Sequence, residues 1–276
     1  MVINDLNKYK EIKYKEIIDC NAWYGINNLN SNLSVNIDSL KNYISLLKEI
    51  SEIPGIFISS FYSLQYDPVE GDLHLEKILK SAKPNLFGNL IFPNYFILHE
   101  KDFEKYLCTK YRSGFRFLRL YPRFHKYSID KWAFGHVLSI LNKLRFPVMI
   151  SLDELDITGN KTIDWKILFK ISNRFKDIPL IIDGGNSKEL MFSGYFYQLL
   201  KATENIYLET HNLLGFNQIE DIVGKVTPSK LILGSYFPFY HELLSVERIR
   251  LARISSEDKS KILYQNLSEI LEKIKI

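Results

Sequence analysis

Apolar residues gather into eight short runs along the chain: Ile17 to Cys20, Gly55 to Ser60, Leu86 to Phe92, Phe115 to Tyr121, Pro147 to Ser151, Pro179 to Asp183, Ile206 to Thr210 and Leu231 to Ser235. Each is nearly continuous in Ile, Leu, Val or Phe rather than alternating, which is the pattern of a strand covered on both faces in a parallel sheet. Between the runs the apolar positions recur three or four apart. Leu40, Tyr43, Ile44, Leu47 and Ile50 follow a candidate cap at Asp38, and Ala133, Val137, Ile140, Leu141 and Leu144 follow Ser128 and stop before Pro147. Weaker helical periodicity predicts helices over 73–81, 100–109, 163–175, 187–203 and 218–223. After Ser255, Ile262, Leu263, Leu267, Ile270, Leu271 and Ile274 form one stripe of a last helix.

The strands start roughly 25 to 40 residues apart, the pitch of one βαβ unit. Eight units in a row predict an α/β fold, a closed (β/α)8 TIM barrel spanning 1–276 as a single domain, with an additional C-terminal helix. The competing doubly wound sheet normally has fewer strands and a glycine-rich first turn, whereas the first strand here runs into Asn21, Ala22, Trp23, Tyr24 and Gly25. No proline- or glycine-rich linker divides the chain.

Composition then narrows the partners. With 46% hydrophobic and 25% charged residues, the chain can bury a barrel-sized core and disorder is not expected. The net charge is +4 and the lysines are interspersed with acids, so the basic stripe of a nucleic-acid binder is missing and no such partner is expected. MVINDLNKYKEIKYKE has no continuous apolar stretch of the kind a secretion signal needs, and the run near 90–98 is broken by Pro93 and Asn94. No membrane partner is expected. Cys20 and Cys108 are the only cysteines and suit a reducing compartment, so the expected location is cytoplasmic. The 17 Tyr and 18 Phe leave room for an aromatic homodimer surface.

In a barrel, chemistry belongs at the carboxyl ends of the strands. Those ends carry Asn21 and Trp23; Ser59, Ser60 and Tyr62; Pro93 and Asn94; Arg119, Tyr121, Arg123 and His125; Ser151, Asp153 and Glu154; Asp183 and Asn186; Glu209, His211 and Asn212; and Tyr236. Arg119 either pairs with Asp153 or Asp183, or turns its forked donors to a carboxylate or phosphate. His125 and His211 are general acid or base candidates, since an imidazole titrates near neutrality, or simply hydrogen-bonded side chains. Asp153, Asp183 and Glu209 are bases or partners for Arg119. Trp23 and Tyr236 are flat walls for a ligand, or plugs.

IIDCNAWYG, GFRFLRLYPRFHKYSID, RFPVMISLDE, IPLIIDGG and KLILGSYFPF resemble, in that order, segments of amidohydrolase-superfamily barrels. ISSEDKSKILYQNLSEIL resembles the helix that closes them. Hydrolases of that superfamily hold a cation with a His-x-His pair after the first strand, His ligands after strands five and six, and an Asp after strand eight. The resemblance places Asn21 and Trp23, Ser151, Gly184 and Tyr236 at those positions, and Arg119 in the fourth-strand segment from which some branches recruit a carboxylated lysine or Glu. An amide, an indole, a hydroxyl, a glycine and a phenol are poor zinc ligands.

The expectation from sequence is therefore an amidohydrolase-related barrel without cofactor, binding and acting on a small anionic or polar metabolite. His125, His211, Asp153 and Asp183 are its catalytic candidates, and Asn21, Trp23, Arg119, Tyr121, Ser151 and Tyr236 its binding candidates. Two alternatives stand beside it. One is a hydrolase using a divalent cation such as Zn or Mn on Asp153, Asp183, Glu209 and His211. The other is a non-catalytic scaffold whose mouth is filled by Trp23, Tyr62, Tyr121 and Tyr236.

Overall fold

A computed structural model describes residues 14–29, 33–81, 85–156, 163–185, 189–241 and 243–276. All eight predicted runs are strands: β1 (Tyr14–Asn27), β3 (Ser51–Ser60), β4 (Leu86–Ile91), β5 (Phe115–Leu120), β6 (Val148–Ser151), β7 (Leu180–Asp183), β8 (Ile206–Glu209) and β9 (Leu231–Ile232). They pair in parallel in that order. A short β2 (Leu33–Val35), absent from the sequence reading, adds an antiparallel edge to the far end of β1. The cylinder closes where β1 meets the segment after β9. Cys20 N donates to Leu233 O (3.1 Å), Tyr236 N to Asn21 O (2.8 Å) and Trp23 N to Phe237 O (2.9 Å).

Helices cover the outside, among them α1 (Ile37–Lys48), α2 (Phe61–Gln65), α3 (Pro68–Ser81), α4 (Glu100–Arg112) and α5 (Lys131–Leu144). Two predicted caps move by two residues. Asn36, not Asp38, accepts from Ser39 N at 2.8 Å, and Asp130, not Ser128, is the cap of α5. The side-chain oxygen of Asn36 stands one turn ahead of the first apolar position, where an orphan helix N–H needs an acceptor. No helix among the described residues is long and apolar enough to cross a membrane.

Side chains of a strand alternate between its faces, so every second residue points into the barrel. The interior floor is Phe57, Phe87, Phe117, Met149, Ile181, Tyr207 and Ile232 with Ile18 and Cys20. Leu267 and Ile270 of the C-terminal helix pack against it and stopper that end. Two residues further along β3, β4, β5, β7 and β8 stand Ser59, Asn89, Arg119, Asp183 and Glu209, each with no more than 1% of its surface exposed. Two further again come Phe61, Ile91 and Tyr121, which pack with Trp23 and Tyr236 into an aromatic cap. A register shift in β1 between Asp19 and Ala22 changes its parity, so that Asn21 joins the polar layer and Trp23 the cap although Ile18 and Cys20 lie in the floor.

Candidate charge-lined active site

Arg119 is 1% exposed, and a guanidinium so deep must be paired. Its Nη2 pairs with Asp183 Oδ2. Its Nη1 donates to Asn21 Oδ1 at 2.7 Å and to Ser59 Oγ at 3.2 Å. The Trp23 ring lies 4.7 Å from Cζ and the Tyr121 ring 5.7 Å from it, adding cation–π attraction in a dry setting. Asn21 turns its amide nitrogen to the carboxylates, donating to Asp183 Oδ2 at 3.3 Å and Glu209 Oε2 at 3.2 Å.

His211 sits on the other side of the same two acids. Its Nε2 meets Gly185 O at 3.0 Å. A carbonyl only accepts, so Nε2 carries a proton. Its Nδ1 contacts Glu209 Oε2 and lies 3.7 Å from Asp183 Oδ1. Burial works to lower the pKa of His211, but the field and hydrogen bond of Glu209, helped by Asp183, raise it to about 9. The imidazole is thus a cation at neutral pH. Tyr236 stacks on it at 4.2 Å between ring centroids, from a backbone at φ 57° that non-glycine residues rarely adopt and that stores strain.

Two glycines make room. A Cβ at Gly234 would fall 1.9 Å from Glu209 Oε1, and one at Gly185, whose φ is +62°, would fall 2.5 Å from Asp153 Oδ2. Asp19, beside the cluster, is fully engaged in closing the cylinder. It accepts from Tyr43 Oη (2.9 Å), Ser235 Oγ (2.7 Å) and Ser235 N (2.8 Å). Burial raises its pKa against those bonds.

The structure therefore brings together Asn21, Trp23, Arg119, Tyr121, Asp183, His211 and Tyr236 of the sequence candidates. Ser151 and Asp153 stand at the edge of this group, next to Gly185. His125 meets the group at the Tyr121 ring, 6.2 Å between centroids, with its Nε2 bonded to Leu64 O at 2.7 Å. Tyr62, expected in the mouth, is 48% exposed, and its neighbour Phe61 takes that place at 1%. Asn186 lies outside the described residues. Asn89, which donates to Ser59 Oγ and Cys20 O, escaped the sequence reading. The i, i+2 parity of Phe87, Asn89 and Ile91, matching Phe117, Arg119 and Tyr121, is the signal that would have found it.

Among the described residues, Asp183, Glu209 and His211 are the group able to hold a metal ion, with one ligand atom from each lying within 4.8 Å of the others. Two carboxylates and an imidazole form a donor set suited to first-row divalent cations. The second nitrogen of His211 already donates to a backbone carbonyl, the orientation a metal-ligating histidine needs.

Comparison with protein-family models and with curated proteins returns no match. Solved structures do share the fold. A 2,6-dihydroxybenzoate decarboxylase from Rhizobium is 10% identical, with 95% of this chain and 99% of that one covered at a TM-score of 0.69. A structure described as an amidohydrolase II is 14% identical, with 93% and 99% covered at 0.66. A dihydroxybenzoic acid decarboxylase from Polaromonas, solved with manganese and an inhibitor, is 12% identical, with 94% and 97% covered at 0.68. The chain thus has the TIM-barrel fold that these structures share, the fold that its sequence pattern and its resemblance led us to expect. The expectation of no cofactor is corrected. It rested on Asn21, Trp23, Ser151, Gly184 and Tyr236 at the superfamily's ligand positions, but β7 and β8 supply another buried ligand set, and a neighbour of this fold holds manganese.

Proposed function

We propose that this chain is a metal-dependent enzyme, folded over 1–276 as one domain, that acts on a small anionic or polar metabolite in the cytoplasm. No nucleic-acid partner is part of this reading, and a homodimer through exposed aromatic surface is compatible with it. The observation that carries it is the buried Asp183, Glu209 and His211 cluster. These three residues would hold a divalent cation, which supplies Lewis-acid polarisation of a bound oxygen and activates water.

The remaining work falls to the chain's own groups. Asn21 fixes both carboxylates through its amide, and Arg119 offers a permanent positive charge to an anionic ligand. His211 holds a proton at Nδ1 that would be released to solvent on cation binding, because imidazole and carboxylates must all be deprotonated to act as ligands. Trp23, Phe61, Tyr121 and Tyr236 exclude water above them, which strengthens every electrostatic contact below. A ligand reaches the layer when this cap moves.

That same cap supports a second reading, in which the charge layer is structural. Elemental analysis of protein purified without chelator, followed by equilibrium dialysis against Mn(II) and Zn(II), tests the first. One cation per chain, lost in Asp183→Asn and His211→Ala variants, is the expected result. Protein that neither retains nor takes up either metal overturns it. Metal that enters only during refolding, and never exchanges in the native protein, selects the structural reading.

A further inference from the structure

We propose that Arg119 is an internal competitor for the cation site, occupying the carboxylates until a divalent ion displaces it and frees its guanidinium for the anionic ligand. The inference rests on the metal-dependent reading and deepens it. Asp183 and Glu209 together bring two negative charges into a layer that water does not reach, and leaving them bare costs far more than surface charges do. Arg119 and Asn21 now cover one oxygen of each acid, the others accepting from Gly185 N and His211 N. Arg119 Nη2 holds Asp183 Oδ2, while Asn21 Nδ2 reaches that same oxygen and Glu209 Oε2. Asn21 is itself held by Arg119 Nη1 at 2.7 Å, so guanidinium and amide form one unit.

A divalent ion on Asp183, Glu209 and His211 shares the Asp183 carboxylate with the guanidinium, whose Nη2 holds Oδ2 while Oδ1 lies 3.7 Å from His211 Nδ1. It also places two positive charges beside a third in a low-dielectric space, where like charges repel strongly. The two cations therefore compete across one carboxylate. The structure offers the displaced guanidinium somewhere to go, since it already lies against the faces of Trp23 and Tyr121. Those rings are the boundary between the charge layer and the mouth, and an arginine held there presents its fork to a carboxylate or phosphate.

Mn(II) titration of wild type and of Arg119→Met reads the competition. The variant is expected to bind Mn(II) about tenfold more tightly or better, within the usual range of coupling between two sites, and its melting temperature is expected to rise more on Mn(II) addition than that of wild type. Equal or weaker binding by the variant overturns the competition and leaves the metal-dependent reading standing. Binding by neither protein overturns both. Should Arg119→Met fail to fold, 15N spectra of wild type decide. The Nη protons of a buried, hydrogen-bonded guanidinium exchange slowly, so their signals are expected to disappear or shift on Zn(II) loading. Unchanged Arg119 signals in protein shown by dialysis to hold Zn(II) overturn the proposal.

Discussion

The floor of the barrel and the layer above it are built by the same strands, one inward position apart, and they hold together by different physics. Phe57, Phe87, Phe117, Ile181 and Tyr207 in the floor become Ser59, Asn89, Arg119, Asp183 and Glu209 two residues later. The floor is stabilised by burying area, at roughly 25 cal/mol per Å² with no preferred direction. The charge layer gains little net stability from its pairs, because desolvation offsets most of their attraction. What the pairs fix instead is geometry, since each lone pair and each N–H must find a partner. One layer tolerates changes of shape, and the other does not tolerate a change of charge.

The sharpest way to break this contrast is to make a near-isosteric change in each. Asp183→Asn keeps the outline of the side chain but leaves the buried Arg119 without its anion, and losing one partner of a buried pair costs about 3–5 kcal/mol. Phe117→Leu in the floor, hydrophobic and only somewhat smaller, is expected to cost about 1.5 kcal/mol or less. Urea unfolding followed by circular dichroism compares them directly. If Asp183→Asn costs no more than Phe117→Leu, the charge layer is not paired as described.

The next effect belongs to pH, in chelated protein. His211 has an ordinary value of 6.5 and is raised to about 9 in the fold. Below pH 6.5 both folded and unfolded chains carry the proton, so the stabilisation is complete. Between the two values only the folded chain keeps it, and stability declines as pH rises through 9, by on the order of 3 kcal/mol for this one group. His211→Gln should flatten that decline, measured as melting temperature against pH. A slope unchanged by the substitution would place the proton elsewhere. The floor's titratable groups, Cys20 and Tyr207, are pushed up by burial and stay neutral through this range, so Phe117→Leu should leave the slope as it is.

The same contrast explains what the sequence could reveal. Apolar continuity is a local property, and it marked all eight barrel strands, as well as the C-terminal stripe whose Leu267 and Ile270 seal the floor. Strand ends with charged residues marked Arg119, Asp183 and His211. What the sequence could not show was which charge faces which. Asp153 and Asp183 were equivalent partners for Arg119 until β5 and β7 were placed on one cylinder. Glu209 and His211, two apart on β8 and the turn beyond it, meet Asp183 through the register in which β7 pairs with β8. The β1 register shift, which sends Asn21 rather than Ala22 inward, leaves no mark in an apolar run. Ligand positions carried over from a resemblance failed for a related reason. They asked whether five particular positions bind metal, while the buried acids of β7 and β8 offered another set.

The smallest effect tests the boundary between the layers. Trp23 stacks on Phe61 at 4.8 Å and 14° and covers Arg119, yet its indole Nε1 is buried without a hydrogen-bond partner among the described residues. A buried unpaired donor costs about 1–3 kcal/mol. Trp23→Phe removes that donor and keeps a ring over Phe61 and the guanidinium, at the loss of apolar area and part of the cation–π attraction, together roughly 1–2 kcal/mol. The two terms nearly cancel, so the change in unfolding free energy should stay within about 1 kcal/mol despite the near-complete burial of the side chain. A loss well above 2 kcal/mol would show that the N–H does have an acceptor in solution, an ordered water or a ligand oxygen, and that the cap is wetter than its apolar packing implies. A gain would mean that this unpaired donor is a standing cost of the cap that the lost ring area does not offset.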